Sequence, residues 1–140
     1  MVNQKKIIKD LIKKDYKLER ILDNSKQCPF LQKPIIKEEV LFYELAQSIV
    51  GQQISAKAAD AIWKRIIFSS KDKKEFLKVI SNSKVKWARE QGLSNRKHEY
   101  IKSIANKIIY KEVSLAKTEN LSDDEAIKFL SSFKGVGPWT

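Results

Sequence analysis

Residues 133–140 read Phe-Lys-Gly-Val-Gly-Pro-Trp-Thr, and this stretch decides which helical fold the chain adopts. Two glycines on either side of Val136 predict a tight turn with access to positive φ. Pro138 follows where the first residue of a helix is expected, because its φ is preset and its missing N–H is no loss there. The local pattern is therefore helix, hairpin, helix.

The helix before this hairpin is expected to begin with a capping box. Ser122 is followed three residues later by Glu125, so each side chain can satisfy a free amide of the helix start. The expected buried face has apolar residues at helical spacing: Ala126, Ile127, Leu130 and Phe133. Only three residues follow the turn, too few for a stable helix. We therefore expect the sequence to stop inside an element; the alternative is a frayed tail.

Helical patterns also fill the rest of the chain, so the predicted fold class is all-α. Residues 37–50 are expected to form the central helix, because apolar residues cover almost its whole circumference. A first amphipathic helix around residues 7–12 is expected to dock on a core. The other predicted helices lie at 17–23, 72–80 and 84–91, with two more beginning at the capping residues Ser55 and Ser94. A looser stretch is expected around Pro29 and Pro34.

The charge balance favours a polyanionic partner. The chain has 28 Lys and Arg against 17 Asp and Glu, a formal net charge of +11. Binding of a phosphate backbone to such a surface releases condensed counterions, which favours association. The positive charge is mostly lysine, so the alternative is a solubilising surface that binds nothing in particular.

Several classes of site are excluded or made improbable by the residue inventory. Cys28 is the single cysteine, so an internal disulfide and a four-cysteine metal centre cannot form within the chain. The amino terminus is too charged for a signal peptide, and no apolar run approaches membrane-spanning length. We interpret His98, the single histidine, as a surface residue, and Trp63 and Trp87 as packing residues.

The hairpin has a chemical use of its own. Amides exposed at a glycine turn and at a helix start point outward together and attract a phosphate oxygen. Lys134 adds a positive charge beside Gly135, Val136 and Gly137. Such contacts grip a nucleic acid without reading its sequence.

Three segments taken together resemble the helix-hairpin-helix (HhH-GPD) DNA glycosylases, in the branch of DNA-3-methyladenine glycosylase II. The first is Leu-Ala-Gln-Ser-Ile-Val-Gly-Gln-Gln-Ile-Ser-Ala-Lys-Ala-Ala at residues 45–59. The second is Gly-Leu-Ser-Asn-Arg-Lys at 92–97, followed by Tyr-Ile at 100–101. The third consists of Asp-Asp-Glu-Ala at 123–126 and Lys-Gly-Val-Gly-Pro-Trp-Thr at 134–140. The resemblance divides the chain into an N-terminal helical segment, 1–36, and a partial glycosylase domain, 37–140, that ends inside the helix-hairpin-helix motif.

The resemblance implies roles for the residues of the first segment. Gln53 matches the side chain that is wedged into the base stack where the target base has left, and Gln52 and Ser55 would shape that turn. The alternative for Gln53 is that it only caps the carbonyls of the helix before it. Arg96 and Lys97 would contact phosphates, or else form a solvated helix start.

The hairpin has implied roles as well. The amides of Gly135, Val136 and Gly137, with Lys134, would hold a backbone phosphate, and the carbonyls of Gly135 and Gly137 would hold a monovalent cation, K⁺ or Na⁺. Trp139 matches a position facing the base pocket, where lyase-type relatives carry a lysine, so the resemblance implies a monofunctional glycosylase. The duller alternative is a core tryptophan. No other cofactor is expected.

The resemblance implies hydrolysis of the N-glycosidic bond of alkylated bases in double-stranded DNA. The family's catalytic aspartate is expected beyond Thr140, so no residue of this chain takes that role, and the 140 residues alone are expected to be inactive. The protein is expected in the cytoplasm, and in association with the nucleoid if it is bacterial. The full-length protein is expected to be a monomer. The alternatives are a non-catalytic DNA-binding remnant and a helical protein-interaction domain.

Overall fold

The computed structural model describes residues 4–22 and 37–140 of the chain. In these two ranges the regular elements are all helical, as the sequence predicts. The helices, in chain order, are α1 (Gln4–Lys14), a 3-10 helix (Tyr16–Leu18), α2 (Glu19–Leu22), α3 (Glu38–Gly51), α4 (Ala56–Ile67), α5 (Lys73–Asn82), α6 (Val85–Glu90), α7 (Asn95–Ile109), a second 3-10 helix (Leu115–Asn120) and α8 (Asp123–Ser131). The looser stretch predicted around Pro29 and Pro34 lies outside the described residues.

The chain divides into two compact units, Met1–Ile35 and Ile36–Thr140. In the first unit, α1 has a strong apolar stripe, yet Ile7 and Leu11 are 42% and 40% exposed. Within the described ranges, every helix is too short or too polar to cross a membrane.

The second unit is built around α3, which confirms the prediction of a central helix. Phe42, Ala46, Ile49 and Val50 are each at most 1% exposed, and α3 packs against α4, α5 and α7. Each large apolar side chain buried here contributes roughly 1.5–3 kcal/mol. An aromatic cluster closes one side of α3, made by Phe42, Tyr43, Trp63 and Phe76. The helix that carries the candidate site is therefore fixed by the core.

The predicted helix starts are confirmed by their hydrogen bonds. Ser55 and Ser94 accept from the amides of Ala58 and Lys97, and Ser122 forms the complete capping box with Glu125. One prediction for α8 is wrong: Ile127 is 48% exposed instead of buried, because the core contacts the side of the helix that carries Phe129 and Leu130, together with Phe133 just after the helix.

His98 is not a surface residue, contrary to the sequence interpretation, since it is only 2% exposed. Ser83 Oγ donates to the carbonyl of Ile80 at 2.6 Å and lies 2.7 Å from His98 Nε2, so Nε2 carries the proton that Oγ accepts. Nδ1 is buried and has no partner among the described residues. Protonation would place an unsatisfied N–H there. Burial first, and the charge of Lys102 second, lower the pKa of His98 below its ordinary 6.5, against a weaker opposite effect of Glu99.

We predict that the free energy of unfolding decreases as the pH falls from 7.5 to 5.5. The unfolded chain binds more protons than the folded one in this window, because the folded pKa is the lower of the two, so stability is full above about 6.5 and is lost towards the folded pKa. His98→Gln should make the profile flat over the same range. Urea unfolding at both pH values measures this, and an equal loss in the variant would contradict the account of His98.

Candidate nucleic-acid interface

The glycine hairpin, residues 133–140, is held by short-range hydrogen bonds. The amide of Val136 donates to the carbonyl of Phe133 at 3.0 Å. The amide of Gly137 donates to Thr140 Oγ1 at 2.9 Å, and the amide of Thr140 donates to the carbonyl of Gly137 at 3.0 Å. Residues 138–140 therefore form a single turn rather than a helix. Only one of the two glycines, Gly135, uses the predicted positive φ, at 86°.

Gly135 lies directly on the ring of Tyr100 from α7. A Cβ at Gly135 would overlap with Tyr100 Cδ2, far inside van der Waals contact. Lys134 extends over the same ring, with Nζ 5.9 Å from its centroid. Tyr100 is therefore the support on which the hairpin rests, and it was not among the sequence-predicted site residues.

The glutamine turn, residues 52–55, connects α3 to α4 and is largely exposed. Gln53 has a φ of 57°, the left-handed conformation that side chains other than glycine rarely adopt. Gln53, Ile54 and Ser55 all face solvent, while Ser55 Oγ caps α4. The chain thus presents the side chain of Gln53 on a strained corner, and such strain is concentrated at functional positions.

The side chain of Gln52 joins the glutamine turn to the glycine hairpin. Its Nε2 donates to the carbonyl of Gly135 at 2.9 Å and to Thr140 Oγ1 at 3.0 Å. The resemblance implied that Gln52 shapes the turn, whereas this bridge was not predicted. The two predicted DNA-contacting segments therefore lie side by side, as one surface requires.

Lys97, on α7, also stabilises the glutamine turn. Its Nζ donates to the carbonyls of Val50 at 2.8 Å and Gln52 at 2.6 Å, at the end of α3. Burial lowers the pKa of the Lys97 ammonium. Arg96, its neighbour, is exposed. Lys97 thus faces protein carbonyls, and the phosphate contacts expected of Arg96 and Lys97 stay predictions.

The two carbonyls expected to hold a monovalent cation are both engaged. Gly135 accepts from Gln52 and Gly137 accepts from the amide of Thr140. A carbonyl oxygen has two lone pairs, so each keeps one for a cation. The cation site stays a prediction on these two ligands.

A groove of about 270 Å³, the hairpin groove, runs beside the hairpin. Most of its lining is apolar and comes from α3, α8 and the hairpin, including Leu45, Leu130, Val136 and Thr140. Trp139 is fully exposed and does not line this groove, so its expected place in a base pocket stays a prediction.

One carboxylate in the hairpin groove was missed by the sequence analysis. Glu44 lines the groove, and its Oε1 accepts a hydrogen bond from Lys73 Nζ at 3.0 Å. Nothing in the local sequence distinguishes Glu44, because its position follows from the packing of α3 against α5 and from the groove that α3 shares with α8. A larger open groove of about 780 Å³ around Trp87 shares none of these residues.

Comparisons with known proteins point to one family. The HhH-GPD superfamily of base excision DNA repair proteins matches residues 46–136. A DNA-3-methyladenine glycosylase from Saccharomyces cerevisiae is 30% identical over 93% of this chain and 47% of its own length. DNA-3-methyladenine glycosylase 1 from Schizosaccharomyces pombe is 33% identical over 71% of this chain and 44% of its own length.

Two solved structures are similar to this chain. The 3-methyladenine DNA glycosylase of Schizosaccharomyces pombe, solved with abasic DNA, has a TM-score of 0.64 and 29% identity, covering 89% of this chain and 59% of that one. A DNA-3-methyladenine glycosidase from Bacillus halodurans has a TM-score of 0.67 and 28% identity, covering 94% and 58%. The chain spans about half the length of the curated relatives it matches.

We predict that Gly135→Ala lowers the free energy of unfolding by about 2 kcal/mol or more, because the methyl group meets Tyr100 and the left-handed φ is strained without glycine. Gly137→Ala is the matched control, since a Cβ there meets nothing within 4 Å. It should change stability by less than about 0.5 kcal/mol. Chemical denaturation compares the two, and equal losses would show that Tyr100 does not restrict the hairpin.

Proposed function

Because the chain belongs to the HhH-GPD superfamily of base excision DNA repair proteins, we propose that it grips duplex DNA around an extruded nucleotide. The proposed reaction of the protein is hydrolysis of the N-glycosidic bond of alkylated bases of the 3-methyladenine type. The observation that carries the proposal is the bridge from Gln52 to Gly135 and Thr140, which makes the glutamine turn and the glycine hairpin one surface.

The resemblance to the family gives Gln53 the role of a wedge, and its place on that surface supports this role. A base inside a duplex must be flipped out before it can be reached, at a cost of a few kcal/mol. A side chain that fills the resulting gap reduces this cost, and its amide can hydrogen-bond to the orphaned partner base. Gln53 is exposed, projects from a left-handed corner and has a flexible amide of suitable length.

The grip on the backbone is assigned to the hairpin. The amide of Gly135 is the one in the Gly135–Gly137 segment without a hydrogen bond in the described part of the chain, and Lys134 supplies positive charge next to it. These groups contact phosphate irrespective of sequence. A cation bound by Gly135 and Gly137 would add positive charge at the same place.

The solved relative from Schizosaccharomyces pombe is a complex with abasic DNA, which supports binding of a gapped base stack by this fold. The relatives named as 3-methyladenine glycosylases support alkylated bases as substrates. An alkylated base carries positive charge, so the exposed Trp139 would attract it by a cation–π interaction of about 0.5–2 kcal/mol.

We predict that Gln53→Ala weakens binding to an abasic duplex more than binding to the intact duplex. The side chain fills a gap that only the abasic duplex offers, while the hairpin contacts are the same in both. Fluorescence anisotropy with labelled duplexes of identical flanking sequence measures both dissociation constants. Equal weakening on the two duplexes would remove Gln53 from the wedge role.

We further predict that the 140-residue chain, assayed alone, releases no base from methylated DNA. Among the described residues that line the hairpin groove, Glu44 is the one with a carboxylate side chain, and this side chain is 61% exposed and forms an ion pair with Lys73 instead of pointing at a buried pocket. Chromatography of released bases is the measurement. Clear turnover would contradict this expectation and show that a residue of the 140 serves as the catalytic group.

A further inference from the structure

The ammonium of Lys97 is bound to carbonyls of the protein itself, whereas a lysine that contacts phosphate would extend into solvent. Its Nζ donates to two carbonyls at the end of α3, Val50 at 2.8 Å and Gln52 at 2.6 Å. These two carbonyls lie on either side of Gly51, the last residue of α3. Gln53 comes directly after Gln52 in the chain. An ammonium there neutralises the negative end of the helix dipole as well.

Hydrogen bonds to the backbone and the side chain of Gln52 restrict the glutamine turn. The amide of Gln52 donates to the carbonyl of Ile49, the carbonyl of Gln52 accepts from Lys97, and the side chain of Gln52 reaches the hairpin. Both peptide groups of Gln52 and its side chain are therefore fixed. The peptide group between Gln52 and Gln53 is thereby held in place, and Gln53 leaves it with a left-handed φ, which is unfavourable in isolation.

We propose that Lys97 is a positioning residue for the wedge: it holds the glutamine turn so that Gln53 projects in the conformation that fills the gap in a base stack. This inference rests on the proposed function. Under this inference, Lys97 contributes to the preference of the protein for abasic over intact duplex, and the phosphate contacts belong to other residues.

The two roles differ in a measurable quantity. A lysine that contacts a phosphate releases a counterion, so removing it lowers the slope of log K against log salt by about 1. A lysine that only positions a wedge leaves this slope unchanged. Its removal instead lowers the ratio of the affinity for an abasic duplex to the affinity for the intact duplex.

The experiment measures this ratio and the salt slope for the unaltered chain and for Lys97→Met, which keeps the apolar stem and removes the ammonium. We expect the abasic preference to fall about tenfold, the scale of one charged hydrogen bond, with an unchanged salt slope. Lys86→Met is the matched control. Lys86 is exposed on α6, so this substitution removes the same charge from a residue that does not hold the turn. It should leave the preference intact.

A double-mutant cycle identifies the path of the effect. In the Gln53→Ala background, Lys97→Met should change the preference little, because the side chain it positions is gone. An undiminished effect there would overturn the inference, as would a slope lowered by about 1 with an unchanged preference. Far-UV circular dichroism checks the fold. If Lys97→Met does not fold, Lys97→Gln, whose amide serves one carbonyl, replaces it, and an unchanged preference in that variant also overturns the inference.

The outcomes separate this inference from the proposed function. An unaltered chain that does not prefer the abasic duplex overturns both. A preference that Gln53→Ala removes and Lys97→Met retains leaves the proposed function standing and overturns the positioning role alone.

Discussion

The side-chain amide of Gln52 is the contact on which the functional surface depends. One nitrogen atom donates to Gly135 and to Thr140, residues more than eighty positions away along the chain. Each such hydrogen bond contributes only about 0.5–1.5 kcal/mol to stability. Its importance lies in geometry, because it fixes the distance between the turn that carries Gln53 and the hairpin that is proposed to contact phosphate.

Helix α7 supports both sides of this contact. Lys97 and Tyr100 are three residues apart and so lie on one face of the helix. Lys97 holds the carbonyls at the end of α3, while Tyr100 lies under Gly135. The backbone takes a left-handed φ at Gln53 and at Gly135, once on each side of the bridge. Both turns are thus supported by α7, and under the proposed function a surface that is shaped before DNA binds would have a lower ordering cost.

Sequence patterns predicted the features that depend on neighbouring residues. The central helix, the serine caps and the capping box were all predicted, because their determinants lie within one or two turns. Ile127 and His98 were misplaced, since the exposure of a helical face is decided by what packs on it. His98 stands beside charged residues in the sequence, yet its side of α7 packs against Ser83 at the end of α5.

The contacts that make the candidate site were the least predictable. The resemblance drew attention to Gln52, Lys97 and the hairpin, but the direction of each side chain was not visible in the sequence. The bridge from Gln52, the inward ammonium of Lys97 and the ring of Tyr100 all join residues more than thirty positions apart. Such contacts follow from how α3, α7 and the glycine hairpin pack together, which local periodicity does not specify.

The most direct measurement of the shared surface is a titration of the ¹⁵N-labelled chain with a short duplex that contains one central abasic analogue. The amide resonances of Gln53 and Gly135 should shift together, with one common dissociation constant. Shifts confined to another surface, such as the lysine-lined groove around Trp87, or two different constants for the two segments, would contradict a single DNA-binding surface.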